Sequence, residues 1–198
     1  MTVTASRFDR KDFDLYETPE WLTEVLLRHV DVRGLRVWEP AAGNHKIVDV
    51  LWAYGVDLIY STDITRHDKA HSAIFDFLSV DYRSTQEIVP ASPFDAIITN
   101  PPFGKGGRDA ANFARLALER CDGIVALLLP DVFDFAKTRR DLFADNPRFT
   151  MKIQLLDRIQ WFPGKYGNTQ NHAWYVWTGD REAWAGPPTI VYEGKEPK

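Results

Sequence analysis

Leu35-Arg36-Val37-Trp38-Glu39-Pro40-Ala41-Ala42-Gly43-Asn44 changes character at its midpoint. The first five residues read as a short buried strand and the next five as a turn of small residues. A helix is expected from about His45 to Tyr54, with Gly55 ending it. Asp57-Leu58-Ile59-Tyr60-Ser61-Thr62-Asp63 then reads as a second strand. Strand, small-residue turn, helix and strand form the repeating unit of a parallel α/β sheet.

The rest of the chain extends this unit in both directions. Upstream, Thr18-Pro19-Glu20 opens a predicted helix, with Thr18 as cap and Pro19 in the first turn. Trp21, Leu22, Val25, Leu26 and His29 share one face of it, and Gly34 stops it. Downstream, a short third strand is expected around Ile74-Phe75-Asp76, with a weak helix near Tyr82 to Ile88. The fourth strand is Phe94 to Thr99. A helix from about Asp109 to Arg120 leads to the fifth strand, Gly123 to Leu129, which Pro130 stops. A helix near Phe133 to Phe143 precedes two more strands, Lys152 to Leu156 and Ala173 to Thr178. Only the loop Gln160 to His172 separates these last two, which predicts an antiparallel hairpin at the sheet edge. The expected architecture is a Rossmann-like three-layer α/β/α sandwich. Its seven-stranded sheet is mostly parallel and ends in the C-terminal antiparallel hairpin. No repeat, low-complexity tract or long linker interrupts the chain, so residues 1–198 are expected to form one domain.

Composition agrees with a globular α/β protein: of 198 residues, 44% are hydrophobic and 26% charged. The single cysteine, Cys121, excludes an intramolecular disulfide and a cysteine-based zinc cluster. It sits in a helix–strand turn and reads as a packed small residue; the seven tryptophans likewise read as core. The first ten residues carry no apolar signal core, and runs such as Ile124 to Leu129 are far too short to span a membrane. A cytoplasmic protein without a membrane partner is expected. A net charge of −4 argues against a strong nonspecific grip on nucleic acid. The distribution is uneven, however. Residues 1–100 carry 10 basic and 16 acidic side chains, whereas residues 101–170 carry 11 and 8. The later half is therefore the expected substrate side.

Ligands of open α/β sheets bind beyond the carboxyl ends of the strands. There, the small residues after Glu39 let backbone amides approach a ligand, and Glu39 can receive a cationic amine. Asp63 ends the second strand, 24 residues after Glu39, where an acid can accept both ribose hydroxyls. Each feature alone is also an ordinary turn or helix cap. Phe103-Gly104-Lys105-Gly106-Gly107 lacks the spacing and hydroxyl of a P-loop, and no GxGxxG is present. A nucleoside cofactor without phosphates is the consistent reading. His67 and His71 stand at i,i+4 near Asp63 and Asp68, but the intervening sequence is not clearly helical and no third ligand can be assigned. No metal is expected.

Together these residues resemble class I S-adenosylmethionine-dependent amino-methyltransferases. Glu39-Pro40-Ala41-Ala42-Gly43 is similar to their cofactor motif, Asp/Glu-Pro-x-x-Gly-x-Gly, with His45 in place of the second glycine. The resemblance implies S-adenosylmethionine as cofactor. It implies that Asp63, followed by Ile64, binds the ribose and that Asp76-Phe77 holds the adenine ring and its amino group. Tyr16-Glu17-Thr18-Pro19 resembles the element lining the methionine end. Asn100-Pro101-Pro102-Phe103, directly after the fourth strand, resembles the catalytic loop. An exocyclic amino group is a poor nucleophile because its lone pair is delocalised. The Asn100 side-chain oxygen and the Pro101 carbonyl can each accept one of its N–H bonds, favouring a pyramidal nitrogen. Pro101 and Pro102 stiffen the backbone, and Phe103 can stack on a base.

Trp161-Phe162-Pro163-Gly164-Lys165, followed by His172 to Trp177, also looks like the terminal hairpin of small, often phage-associated DNA adenine-N6 methyltransferases. DNA is thus the expected partner. Lys105 and Arg108 beside the catalytic loop, and Trp161 and Lys165 in the hairpin loop, are the substrate candidates. Lys137-Thr138-Arg139-Arg140 is a weaker one. No stretch is long enough for a target recognition domain, so a separate specificity subunit or a homo-oligomer is a further expectation. RNA guanine N2, a protein glutamine, and a silent cofactor-binding subunit are the alternatives that the motif leaves open.

Overall fold

Runs of β-branched and aromatic residues between turns pair into one eight-stranded sheet in the computed structural model, which describes residues 17–79, 94–161, 170–179 and 186–195. The strands are β1 (Arg36–Glu39), β2 (Leu58–Asp63), β3 (Ala73–Ile74), β4 (Ala96–Thr99), β5 (Ile124–Pro130), β6 (Phe149–Leu155), β7 (His172–Trp177) and β8 (Thr189–Glu193). Their order is β3-β2-β1-β4-β5-β7-β6-β8. Every pairing is parallel except those of β7, which runs against both β5 and β6. Chain order reverses at β1, which pairs with β2 through Val37↔Ile59 and with β4 through Val37↔Ala96.

The strand pleat sends alternate residues into two cores. On one face, Val37, Ile98, Leu128 and Trp174 pack beneath the helices α1 (Glu20–Leu27) and α2 (Lys46–Tyr54), which supply Leu22, Val25, Leu26, Ile47 and Leu51. On the other, Trp38, Ile97, Leu127, Tyr175 and Trp177 meet Ala110, Phe113, Ala114 and Ala117 of the helix α3 (Arg108–Arg120). The mostly parallel Rossmann-like sandwich is therefore present, with helices on both faces. Three fully buried tryptophans tie its layers, because a buried indole needs an acceptor for its N–H. Trp38 donates to Thr62 Oγ1 at 2.9 Å, Trp174 to the Leu22 carbonyl at 2.7 Å and Trp177 to the Leu142 carbonyl at 2.7 Å. Cys121 is buried as expected, whereas Trp52 is 49% exposed and departs from the core reading.

Several expectations need correction. The sheet has eight strands rather than seven: β8 pairs with the outside of β6, so the antiparallel hairpin lies inside the sheet. The first helix ends at Leu27, well before Gly34, and beyond it Asp31 accepts the Arg33 backbone N–H at 3.1 Å in a local turn. Residues 133–143 form two 3-10 turns, Phe133–Phe135 and Lys137–Arg139, separated by an extended Ala136. The Phe133 carbonyl, which a helix would use internally, is taken by the Arg139 guanidinium at 2.7 Å. Thr18 caps nothing; Pro19 precedes α1 with no side-chain cap bond. The weak helix at Tyr82 to Ile88 lies outside the described residues.

Candidate active site

A cleft of about 520 Å³ opens beyond the carboxyl ends of β1, β2 and β4, at the reversal in strand order. Glu39, Gly43, Asp63, Ile64, Asn100 and Lys105 are among its lining residues.

The turn after β1 is held from below. Ala42 N–H donates to the Thr62 carbonyl at 2.9 Å, and Gly43 N–H donates to Asp63 Oδ2 at 3.0 Å. His45 adopts a left-handed backbone, with φ 64°. The turn therefore closes through a conformation that a side chain bearing Cβ rarely adopts. Asp63 is further fixed by Thr65 N–H at 3.1 Å, and His67 Nε2 lies 3.1 Å from its Oδ1. His71 Nδ1 and His45 Nε2 are 3.0 Å apart, and burial holds both rings below the usual imidazole range.

Glu39 is fully buried at the base of the cleft. Its Oε1 accepts the Ala41 N–H at 3.3 Å, while Oε2 has no hydrogen-bond partner among the described residues. Desolvation pushes its carboxyl up to about 8, against the pull of the neighbouring Thr99 hydroxyl and the Ala41 N–H, which favour the ionised form. A cation placed beside it would favour that ionised form further.

Asn100 follows β4. Its Nδ2 donates to Thr18 Oγ1 at 3.1 Å, which orients the amide. This contact spans 82 residues and explains why Thr18 is buried rather than capping. Asn44 likewise ties the N-terminal element to the cleft, donating to Glu17 Oε1 at 2.8 Å. The glycine loop turns sharply after Phe103: Gly104 has φ 66°, and a Cβ there would collide with the Asp109 carboxylate.

The cleft gathers Thr18, Glu39, Pro40, Ala41, Gly43, Asp63, Ile64, Asp76, Phe77, Asn100, Pro102 and Lys105 of the sequence candidates. Phe77 is wall rather than platform: it is 2% exposed and stacks 4.3 Å from Phe113. Ile64, 52% exposed, offers the open apolar surface. Pro101 is buried, and Phe103 packs 6.3 Å from Phe133; neither lines the cleft. Arg108 is exposed at the start of α3. Trp161 packs against the first core with its ring 5.4 Å from His172, away from the cleft lining. Tyr16 and Lys165 lie outside the described residues. Sequence reasoning missed Asp109 and Phe113, which line the cleft from the first turns of α3.

The basic residues of the later half are largely committed elsewhere. Arg139 donates to Phe133 O and, at 3.0 Å, to Gly106 O, clamping two loops together. Arg140 pairs with Asp145, Arg115 with Asp141 and Lys152 with Asp134. Arg148 donates to the Leu118, Cys121 and Gly123 carbonyls.

No protein-family model and no curated protein sequence matches the chain. Solved structures share its fold. A candidate RNA methyltransferase from Pyrococcus horikoshii superposes with a TM-score of 0.63 at 17% identity, over 84% of this chain and 87% of the other. A candidate class I S-adenosylmethionine-dependent methyltransferase from Listeria monocytogenes gives 0.54 at 12% identity, over 88% and 62%. The modification subunit of a candidate type I restriction enzyme from Vibrio vulnificus gives 0.59 at 15% identity, over 91% of this chain but 47% of the subunit. The fold is thus one that methyltransferases use. No helix among the described residues is long and apolar enough to cross a membrane.

Proposed function

We propose that the chain is an S-adenosylmethionine-dependent N-methyltransferase acting on an exocyclic amino nitrogen, with adenine N6 in DNA as its target. The observation that carries this reading is the Asn100 amide, oriented by Thr18 at 3.1 Å and lining a cleft that also contains Glu39 and Asp63.

The residues present fit the cofactor. The partnerless Glu39 Oε2 suits an ammonium group, Asp63 suits ribose hydroxyls, and Ile64 with the Phe77 wall suits an adenine ring. Asp76, exposed on the same cleft, would accept the adenine amino group. S-adenosylmethionine, when bound, supplies a methyl group made electrophilic by its sulfonium. The chain's own contribution is positioning and electrostatics. Asn100 Oδ1 accepts one N–H bond of the target nitrogen and turns its lone pair toward the cleft. Pro101 and Pro102 limit the loop's freedom, and the Pro101 carbonyl and Phe103 ring, which do not line the cleft, would take the second N–H bond and contact the base only after the loop shifts. Lys105 and Arg108 would meet phosphates flanking a base that is extruded or already single-stranded.

A separate specificity subunit, or a second copy of the chain, completes this reading. The internal pairing of Arg115, Arg139, Arg140, Arg148 and Lys152 favours it, because it reduces the basic surface left to grip a duplex. Transfer of labelled methyl to separate pools of duplex DNA, single-stranded DNA, RNA and protein tests the proposal. N6-methyladenine in DNA is expected. N2-methylguanine in RNA, or label in protein glutamine, would move the target; label in no pool despite cofactor binding would leave a silent subunit.

A further inference from the structure

His45, His67 and His71 converge behind Asp63, and the reaction above uses none of these imidazoles. The carboxylate of Asp63 and one ring nitrogen each from His67 and His71 lie within 4.8 Å of one another. His67 Nε2 is already 3.1 Å from Asp63 Oδ1. His71 is held from its other side, with Nδ1 3.0 Å from His45 Nε2, while its own Nε2 is buried without a hydrogen-bond partner among the described residues. Most buried polar atoms are hydrogen-bonded, so an unpartnered ring nitrogen beside a second imidazole and a carboxylate calls for an explanation. His45 is also the non-glycine residue with positive φ among the described residues, a conformation that a residue bearing Cβ rarely adopts. That strain holds an imidazole against His71 where the resembling motif has glycine.

We propose that Asp63, His67 and His71 form a site for one divalent transition-metal ion of the zinc class, with His45 as the outer partner that fixes His71. Two imidazoles and one carboxylate are a zinc donor set, and three protein ligands leave a fourth position open. His71 coordinates through the partnerless Nε2 and donates Nδ1–H to His45, the arrangement in which a second hydrogen bond sets the ligand's tautomer. Tetrahedral bonds of about 2.0–2.2 Å hold donor atoms about 3.4 Å apart, close to the 3.1 Å between His67 Nε2 and Asp63 Oδ1. Asp68, whose backbone N–H bonds Asn44 Oδ1 at 3.2 Å, takes no part. Because Asp63 is also the ribose acid of the function proposed above, ion and cofactor compete for its carboxylate; this consequence rests on that reading, whereas the site itself does not.

Zinc titration of the cofactor-free protein by calorimetry, with cobalt(II) absorption as the readout of coordination, tests the site. One ion per chain is expected, with affinity lost by about 100-fold or more in His67→Ala and in His71→Ala. His45→Gly suits the left-handed backbone and removes only the outer ring, so a loss of about 10-fold is expected. Thermal unfolding of each variant shows that it is folded. Absence of zinc binding in the wild type, or wild-type affinity in His71→Ala, overturns the proposal. Saturating S-adenosylhomocysteine should weaken zinc binding; unchanged zinc affinity with the nucleoside bound would overturn the sharing of Asp63. If the nucleoside itself fails to bind, the cofactor reading falls and the zinc titration still decides the site.

Discussion

At the ends of β1, β2 and β4, polar side chains stand with atoms turned to an open cleft: Glu39 with a partnerless oxygen, Asp63 at the strand end, Asn100 held by Thr18. Beyond β5, polar side chains of similar number turn back onto the protein. Lys152 reaches the Asp131 carbonyl at 2.6 Å and Asp134, and Arg148 and Arg139 bind backbone carbonyls. The first group suits a ligand, and the second stabilises loops. The contrast teaches that charge counted along a sequence measures available charge poorly: the positive balance after residue 101 is spent mostly on internal contacts.

The largest effect should come from the cofactor side. Asp63→Ala is expected to weaken S-adenosylhomocysteine binding by about 100-fold, the loss of two hydrogen bonds to a charged group; calorimetry measures it, and near-normal affinity would break the comparison. Thr18→Val keeps the shape and removes the acceptor that orients Asn100. Methyl transfer should fall about 10-fold with cofactor affinity unchanged, so single-turnover rates separate orientation from binding.

Glu39 gives a pH signature. Its carboxyl rises from 4.5 to about 8 in the folded protein, so the native state holds the proton more tightly than the unfolded chain. Its contribution to stability is therefore full below pH 4.5 and lost as pH rises towards about 8. Unfolding of the cofactor-free protein should show this decline, and Glu39→Gln should flatten it. Near pH 7, binding of the cationic cofactor should release close to one proton, seen as a buffer-dependent enthalpy that Glu39→Gln removes. The smallest effects belong to the other half. Lys105→Ala and Arg108→Ala should each lower the salt slope of nucleic-acid binding by about one. Arg140→Ala, whose cation is already paired with Asp145, should leave it unchanged.

The sequence made the β1 turn, Asp63 and Asn100 legible because each sits at the end of a strand, where a short local pattern gives both its element and its direction. Thr18 was misread because the local option for a threonine before Pro-Glu is a helix cap, whereas its partner lies 82 residues away. The segment 133–143 has the apolar spacing of a helix, but the Arg139 guanidinium claims the Phe133 carbonyl, a competition that apolar spacing does not show. Strand β8 follows Pro187-Pro188 and is half exposed along the sheet edge, so no buried face marks it. The histidine cluster was half visible: the i,i+4 pair is in the sequence, but Asp63 as third ligand and His45 as brace appear only when the turn closes.

Single-turnover methyl transfer by Asn100→Ala, run beside S-adenosylhomocysteine binding by the same preparation, tests the central claim most directly. The account predicts transfer reduced by about 100-fold or more, the scale of losing a charge-stabilising contact in the transition state, with cofactor affinity within about threefold of wild type. Transfer at the wild-type rate, with the cofactor bound as before, would contradict it.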